Sequence, residues 1–162
     1  MSFAYTTATK AVADTFVTSA TPATEVDALF IKPGTRNVWV TLLQVLGRGA
    51  GLTSLSGIAF RLKRWTTTAS SAGTAITPGV KDAGAQAAKA TAGGASAGVT
   101  SGTGGPQIVA VCGCGAAGPG GWAARDQDSS CVVEGSANQS MDLFVASGTA
   151  SLSYEAALEH AE

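Results

Sequence analysis

The stretch Asn37-Val38-Trp39-Val40-Thr41-Leu42-Leu43-Gln44-Val45-Leu46 decides the reading of the fold. It is rich in β-branched and aromatic residues, which suit a pleated, packed surface. A period of two places Val38, Val40, Leu42 and Leu46 on one face and Trp39, Leu43 and Val45 on the other. Apolar residues on both faces describe a strand covered twice, once by the chain's own core and once by a partner or a loop. Trp39, Leu43 and Val45 are therefore the candidate subunit interface.

The same logic extends outward. Lys32-Pro33-Gly34-Thr35 is a turn, because Pro presets φ at the first corner and Gly tolerates a positive φ at the next. Ala28-Leu29-Phe30-Ile31 before it is a short apolar strand. Gly47-Arg48-Gly49-Ala50-Gly51 breaks the long strand. Ile58 to Trp65 then alternates cleanly, with Ile58, Phe60 and Leu62 on one side and Arg61 and Lys63 on the other, as in a half-buried strand. Arg61 and Lys63 form a basic face, either solvated or suited to a salt-bridging contact with an acidic partner surface, and join the candidate subunit interface.

Four further strands are expected at 107–112, 130–134, 141–146 and 151–156. Tyr154 to His160 also has good helix propensity. Alternation through Leu152, Tyr154, Ala156 and Leu158 selects a strand instead. Lys81 to Gly105 is almost wholly Ala, Gly, Ser and Thr, and buries too little to offset its ordering entropy. It reads as a long flexible loop. Residues 1–27, rich in Thr and Ala with isolated aromatics, read as an extended N-terminal arm on a 28–162 domain. Many short strands, frequent turns and no long helical pattern give an all-β fold, a two-sheet β-sandwich of jelly-roll type.

Composition narrows function. Ala, Gly, Thr and Ser make up 86 of 162 residues, and charged residues are 13%, against about 25% in an average soluble domain. A net charge of −1 supplies no positive field for a nucleic acid. No apolar run is long enough for a membrane-spanning helix. Low charge makes a lone globule poorly soluble and favours life packed against another surface.

The residue types that carry chemistry do not converge. The single histidine, His160, reads as part of a solvated tail. Cys112-Gly113-Cys114 with Cys131 offers three thiols where structural zinc takes four ligands, so the cysteines read as small apolar residues without a metal. Asp126-Gln127-Asp128 lacks the oxygen spacing of a calcium loop. The glycine-rich run 113–121 has no phosphate-loop lysine. No cofactor, catalytic pair or small-molecule substrate is expected.

The layout resembles a group of small bacteriophage virion proteins. The matching stretches are Thr35 to Leu46, and Ile58 to Thr77 with Arg61-Leu62-Lys63-Arg64 and Thr67-Thr68-Ala69-Ser70-Ser71-Ala72-Gly73-Thr74. They continue with Lys81-Asp82-Ala83, Gly121-Trp122-Ala123-Ala124-Arg125-Asp126, Cys131-Val132-Val133-Glu134-Gly135, and Leu152-Ser153-Tyr154-Glu155 to the end. The likeness is one of layout and texture, and the Cys112-Gly113-Cys114 strand departs from it.

The resemblance implies a jelly-roll capsid decoration (cement) protein, a homotrimer on the capsid exterior of the virion that reinforces the shell. Its partners would be the major capsid protein and copies of itself. The arm would reach a neighbour by strand addition, with Phe3, Tyr5 and Phe16 as capsid contacts. The competing expectation is a receptor- or glycan-binding module of a phage head or tail fibre, with Trp65 and Trp122 near its loops. An enzyme such as a small hydrolase would need a catalytic pair that the sequence does not present.

Overall fold

The computed structural model describes residues 3–8, 17–19, 26–48, 57–105, 107–115, 120–125, 131–135, 137–145 and 152–162. Its strands are β1 (Ala4–Ala8), β2 (Val17–Ser19), β3 (Val26–Lys32), β4 (Val38–Arg48), β5 (Gly57–Trp65), β6 (Ser71–Ile76) and β7 (Gly79–Val80). They continue as β8 (Thr91–Thr100), β9 (Gln107–Gly115), β10 (Gly120–Ala123), β11 (Cys131–Val133), β12 (Ser140–Val145) and β13 (Leu152–Ala161). No helix occurs among the described residues.

The strands form two antiparallel sheets. Sheet A runs β10-β4-β13-β1-β7, with β11 also on β4 and β2 also on β13. Sheet B runs β6-β8-β3-β12-β5-β9. Residues 33–37 carry the chain from β3 in sheet B to β4 in sheet A, with bends at Thr35 and Arg36 and without the positive φ expected at Gly34. The all-β, two-sheet sandwich character read from the sequence is thus present.

The core lies between the inner faces. In sheet B, Leu29, Leu143, Leu62 and Ala110 stand in one row across four strands. In sheet A, Leu43 of β4 and Leu158 of β13 are cross-strand neighbours. All of these are buried. From Phe60 to Lys63 the period-two reading holds, with Phe60 and Leu62 in the core and Arg61 and Lys63 on the other face; the side chain of Ile58 lies outside the described residues. The strand reading of the C-terminal segment also holds, where Ala156 and Leu158 are both buried.

Three expectations are corrected. The first concerns β4. The register slips where Leu42 pairs with Glu159 and Val40 with His160, leaving Thr41 as an extra residue. A bulge of this kind reverses the alternation beyond it. Val38, Val40, Leu43 and Val45 therefore all face the core. Leu43 and Val45 are covered by the chain itself and offer no side chain to a second subunit, whereas Trp39 is half-buried on the outer face.

The second concerns 81–105, read as a loop. Residues Thr91–Thr100 form β8, paired with β3 and β6. Its glycines fit against large neighbours: a Cβ on Gly93 would lie 2.5 Å from the Phe30 ring, and one on Gly94 2.8 Å from Ile76. Bulk supplied by adjacent strands replaces bulk in β8.

The third concerns the N-terminal arm and the C-terminal tail. β1 is built into sheet A, between β13 and β7. Tyr5 is buried there and presents no side chain to a neighbour, while Phe3 is half-buried. Phe16 lies outside the described residues. His160 is buried, because β13 runs through the middle of sheet A as far as Ala161.

Candidate functional site

Sheet B has a polar centre on its outer face. Two rows cross it. Val111, Arg61, Phe144 and Asp27 form one, and Ile108, Lys63, Asp142 and Phe30 the other. Residues opposite one another in antiparallel strands share a face. The alternation that sends Phe60, Leu62, Leu143 and Val145 inward therefore sends these outward.

Two segments cover the middle of this face. Residues 66–70 and 101–105 are zipped together by backbone bonds, with Thr67 N–H and Thr68 N–H donating to Thr103 O and Thr103 N–H donating to Thr68 O. Below them Asp142 is fully buried and Asp27 nearly so. Asp142 accepts from Trp65 Nε1 at 2.9 Å, from Ser140 Oγ at 2.6 Å and from Ser70 Oγ. Ser70 Oγ in turn accepts from Gly102 N at 2.7 Å, and Ser140 Oγ from Ser70 N at 3.0 Å. Asp27 accepts from Ser101 Oγ at 3.1 Å.

The electrostatics follow from burial. Desolvation raises both carboxyls, since a charged carboxylate loses its hydration. Asp27 is pushed up to about 9, by burial first and by the facing Asp142 next. For Asp142 the hydrogen bonds it accepts oppose that rise. Carboxyl next to hydroxyl is the raw material of acid–base chemistry. Here, however, the hydroxyls hold the covering segments in place, and Ser70 is itself buried.

The basic residues read as a candidate contact sit beside this centre. Lys63 is buried, with its ammonium 4.2 Å over the Phe144 ring. Trp65 meets Phe144 edge-on at 6.2 Å. Arg61 is half-buried. Sequence reasoning named Arg61 and Lys63 but missed Asp27 and Asp142. The available signal was a lone acid inside each of two apolar strands.

Two other features complete the surface. Ile108 and Val111 of edge strand β9 are 55% and 60% exposed. Along β4, β10 and β13 of sheet A an open groove of about 590 Å³ is lined by Leu42, Gln44, Gly121, Trp122, Glu155 and Ala157 among others. Trp122, opposite Leu43 in β4, lines this groove and also packs partly against the core.

Among the described residues no group of three or more His, Cys, Asp or Glu side chains is placed to hold a metal. Neither Cys112 nor Cys131 is in a disulfide. Burial pushes the Cys131 thiol up, against the opposing effect of Arg64. The 126–128 acidic turn lies outside the described residues. Compared with known proteins, the chain matches no family model, no curated protein and no solved structure.

Proposed function

We propose that the chain is a non-enzymatic bacteriophage virion protein, a capsid decoration subunit on the exterior of the head. It would associate with copies of itself, as a trimer, and with the major capsid protein, stabilising the shell by bridging neighbours. The observation that carries this reading is the β9 edge. A nine-residue edge strand of sheet B with no charged residue and no proline, exposing Ile108 and Val111, lacks the side-chain devices that protect edges from pairing. Such an edge suits a protein held against another chain. The low charge supports the same reading.

The test is whether mature particles retain the protein. Cryo-EM of particles, with mass measurement of the purified chain, is expected to find an oligomer on the outer shell. Substituting Ile108→Lys and Val111→Lys together is expected to abolish retention without lowering the melting temperature. A monomer absent from particles would overturn the reading.

The groove on sheet A favours a second reading, a receptor- or glycan-binding module. Gln44 and Glu155 supply polar groups for sugar hydroxyls, and the small residues leave space. Trp122 also lines the groove while packing partly against the core. Binding on a glycan array, lost in Gln44→Ala, would support this alternative.

A further inference from the structure

We propose that the strap of residues 81–90 between β7 and β8 is an acid-released latch: protonation of His160 draws the Glu162 carboxylate off the Lys89 and Ala90 amides, and the second half of the strap lifts.

The strap carries the chain from sheet A to sheet B. Its start is fixed to β1 and β13. Lys81 N donates to Ala4 O at 3.0 Å, Ala4 N donates to Asp82 Oδ2 at 2.9 Å, and Lys81 Nζ meets Glu159 at 2.7 Å. Its second half hangs on two side chains from the sandwich. The Tyr5 hydroxyl donates to Gln86 O at 3.0 Å. The Glu162 carboxylate accepts from Lys89 N at 2.8 and 3.1 Å and from Ala90 N at 2.9 Å. The apolar residues of the strap are all alanine, and most of its residues are exposed. Few contacts resist its movement, so local opening costs less than unfolding the sandwich.

Both side chains also meet His160. Tyr5 stacks on the imidazole, and Glu162 Oε1 stands 3.7 Å from Nε2. The histidine is 1% exposed, and neither ring nitrogen has a hydrogen-bond partner among the described residues. A neutral imidazole has one N–H. A solvent proton added to the other nitrogen makes a cation with two donors. The acceptor within reach is Glu162 Oε1, and a charge-assisted bond needs about 2.7–2.9 Å. That oxygen must therefore close on Nε2, yet it is the same atom that accepts from Lys89 N and Ala90 N. The other donor, Nδ1, still lacks an acceptor, and a buried cation without partners is costly. Lifting the strap admits water to it.

The titratable groups on the inner side are these. β1 brings Tyr5, and β13 itself brings Glu162. Asp82 of the strap and Arg36 of the 33–37 connection act on Tyr5, and Lys89 is an exposed residue. Cys131 of β11 lies beyond Val40 in the row that joins Val40, His160 and Tyr5. The inner face of sheet B carries Arg64, tied to Gln107 Oε1 at 3.0 Å and to Val132 O at 3.2 Å. Histidine is the side chain among these whose ordinary pKa falls near neutrality. In the closed form burial holds His160 at about 4, while a hydrated imidazole takes its proton near 6.5. Between these values the open form binds a proton that the closed form refuses, so opening gains about tenfold per pH unit as pH falls.

Amide exchange tests this. In the wild type, protection of Lys89 and Ala90 is expected to fall about tenfold per pH unit below about pH 6.5, while amides of the central strands β3 and β12 stay protected. In His160→Phe, which keeps a stacked ring and carries no proton, protection of Lys89 and Ala90 is expected to stay level. Level protection in the wild type would overturn the proposal, whether or not the variant folds. Equal loss in both proteins would assign the release to protonation of Glu162 itself and overturn it. Loss that appears in β3 and β12 at the same pH would mean global acid unfolding and overturn it too. An NMR titration of the wild-type imidazole is the second readout. Its midpoint is expected to coincide with the loss of protection at Lys89 and Ala90, and a midpoint apart from that loss contradicts the latch.

Discussion

The ring of Tyr5 stacks on the imidazole of His160, with centroids 5.4 Å apart and planes 22° from parallel, inside the sandwich. Both are inward-facing neighbours on β1 and β13. Neither imidazole nitrogen has a hydrogen-bond partner among the described residues, and the nearest carboxylate oxygen, Glu162 Oε1, is 3.7 Å from Nε2. Burial therefore lowers the His160 pKa to about 4, with Glu162 opposing.

This has a sign that can be checked. In the unfolded chain His160 takes up a proton below about 6.5, whereas the folded protein resists until about 4. Between these values the unfolded state binds more protons, so the contribution of His160 is whole above pH 6.5 and is lost as pH falls toward 4. His160→Phe keeps a stacked ring and removes the proton. Urea titrations are expected to show the variant gaining on the wild type by up to about 1.4 kcal/mol per pH unit over that window. A constant difference would contradict a buried, neutral His160.

Glu162 gathers the segment that follows β7. Its carboxylate accepts from Lys89 N at 2.8 and 3.1 Å and from Ala90 N at 2.9 Å. Removing a charged acceptor leaves backbone N–H groups unsatisfied, and bonds to charged groups contribute about 1.5–3 kcal/mol. Glu162→Ala is expected to lose about that much in chemical denaturation. Glu162→Gln keeps one acceptor oxygen and is expected to lose less.

What could be read in the sequence follows from where bulk sits. Phe60 and Leu62 announce β5 because the side chains that pack are its own. β8 announces nothing, because Gly93 and Gly94 make room for Phe30 and Ile76 of other strands. The bulge at Thr41 is set by pairing with β13, so the reversal of faces along β4 is invisible in β4 alone. Asp27 and Asp142 are each legible as an acid among apolar residues. Their meeting depends on β3 pairing with β12, which no local pattern encodes.

The reversal along β4 has its own consequence. Leu43 is fully buried between the sheets, whereas Trp39 is half-buried on the outer face. Leu43→Ala leaves a cavity and is expected to lose about 2–5 kcal/mol of monomer stability. Trp39→Ala is expected to lose less in the same denaturation. If Trp39 lies in a contact between subunits, its substitution changes association, and its effect on the melting temperature depends on protein concentration. Equal and concentration-independent losses would place both residues in one core.

Gly102 tests the pairing of residues 66–70 with 101–105 through sterics. A Cβ there would collide with the Thr68 carbonyl oxygen and stand 2.8 Å from the Trp65 ring. Backbone cannot yield as a flexible side chain does, so Gly102→Ala must displace the 101–105 segment. That breaks the Gly102 N–H bond to Ser70 and, through Ser70, loosens the donors to Asp142. Overpacking of this kind costs about 1–3 kcal/mol. Gly105 is the control: its φ is +64° and an added Cβ meets nothing within 4 Å. Gly105→Ala bears only the strain of a left-handed residue, about 1–2 kcal/mol. Thermal melts followed by tryptophan fluorescence are expected to show a changed Trp65 environment in Gly102→Ala and an unchanged one in Gly105→Ala. The same spectral change in both would mean that the 101–105 segment is held by backbone conformation rather than by the packed contact of Gly102 with Thr68 and Trp65.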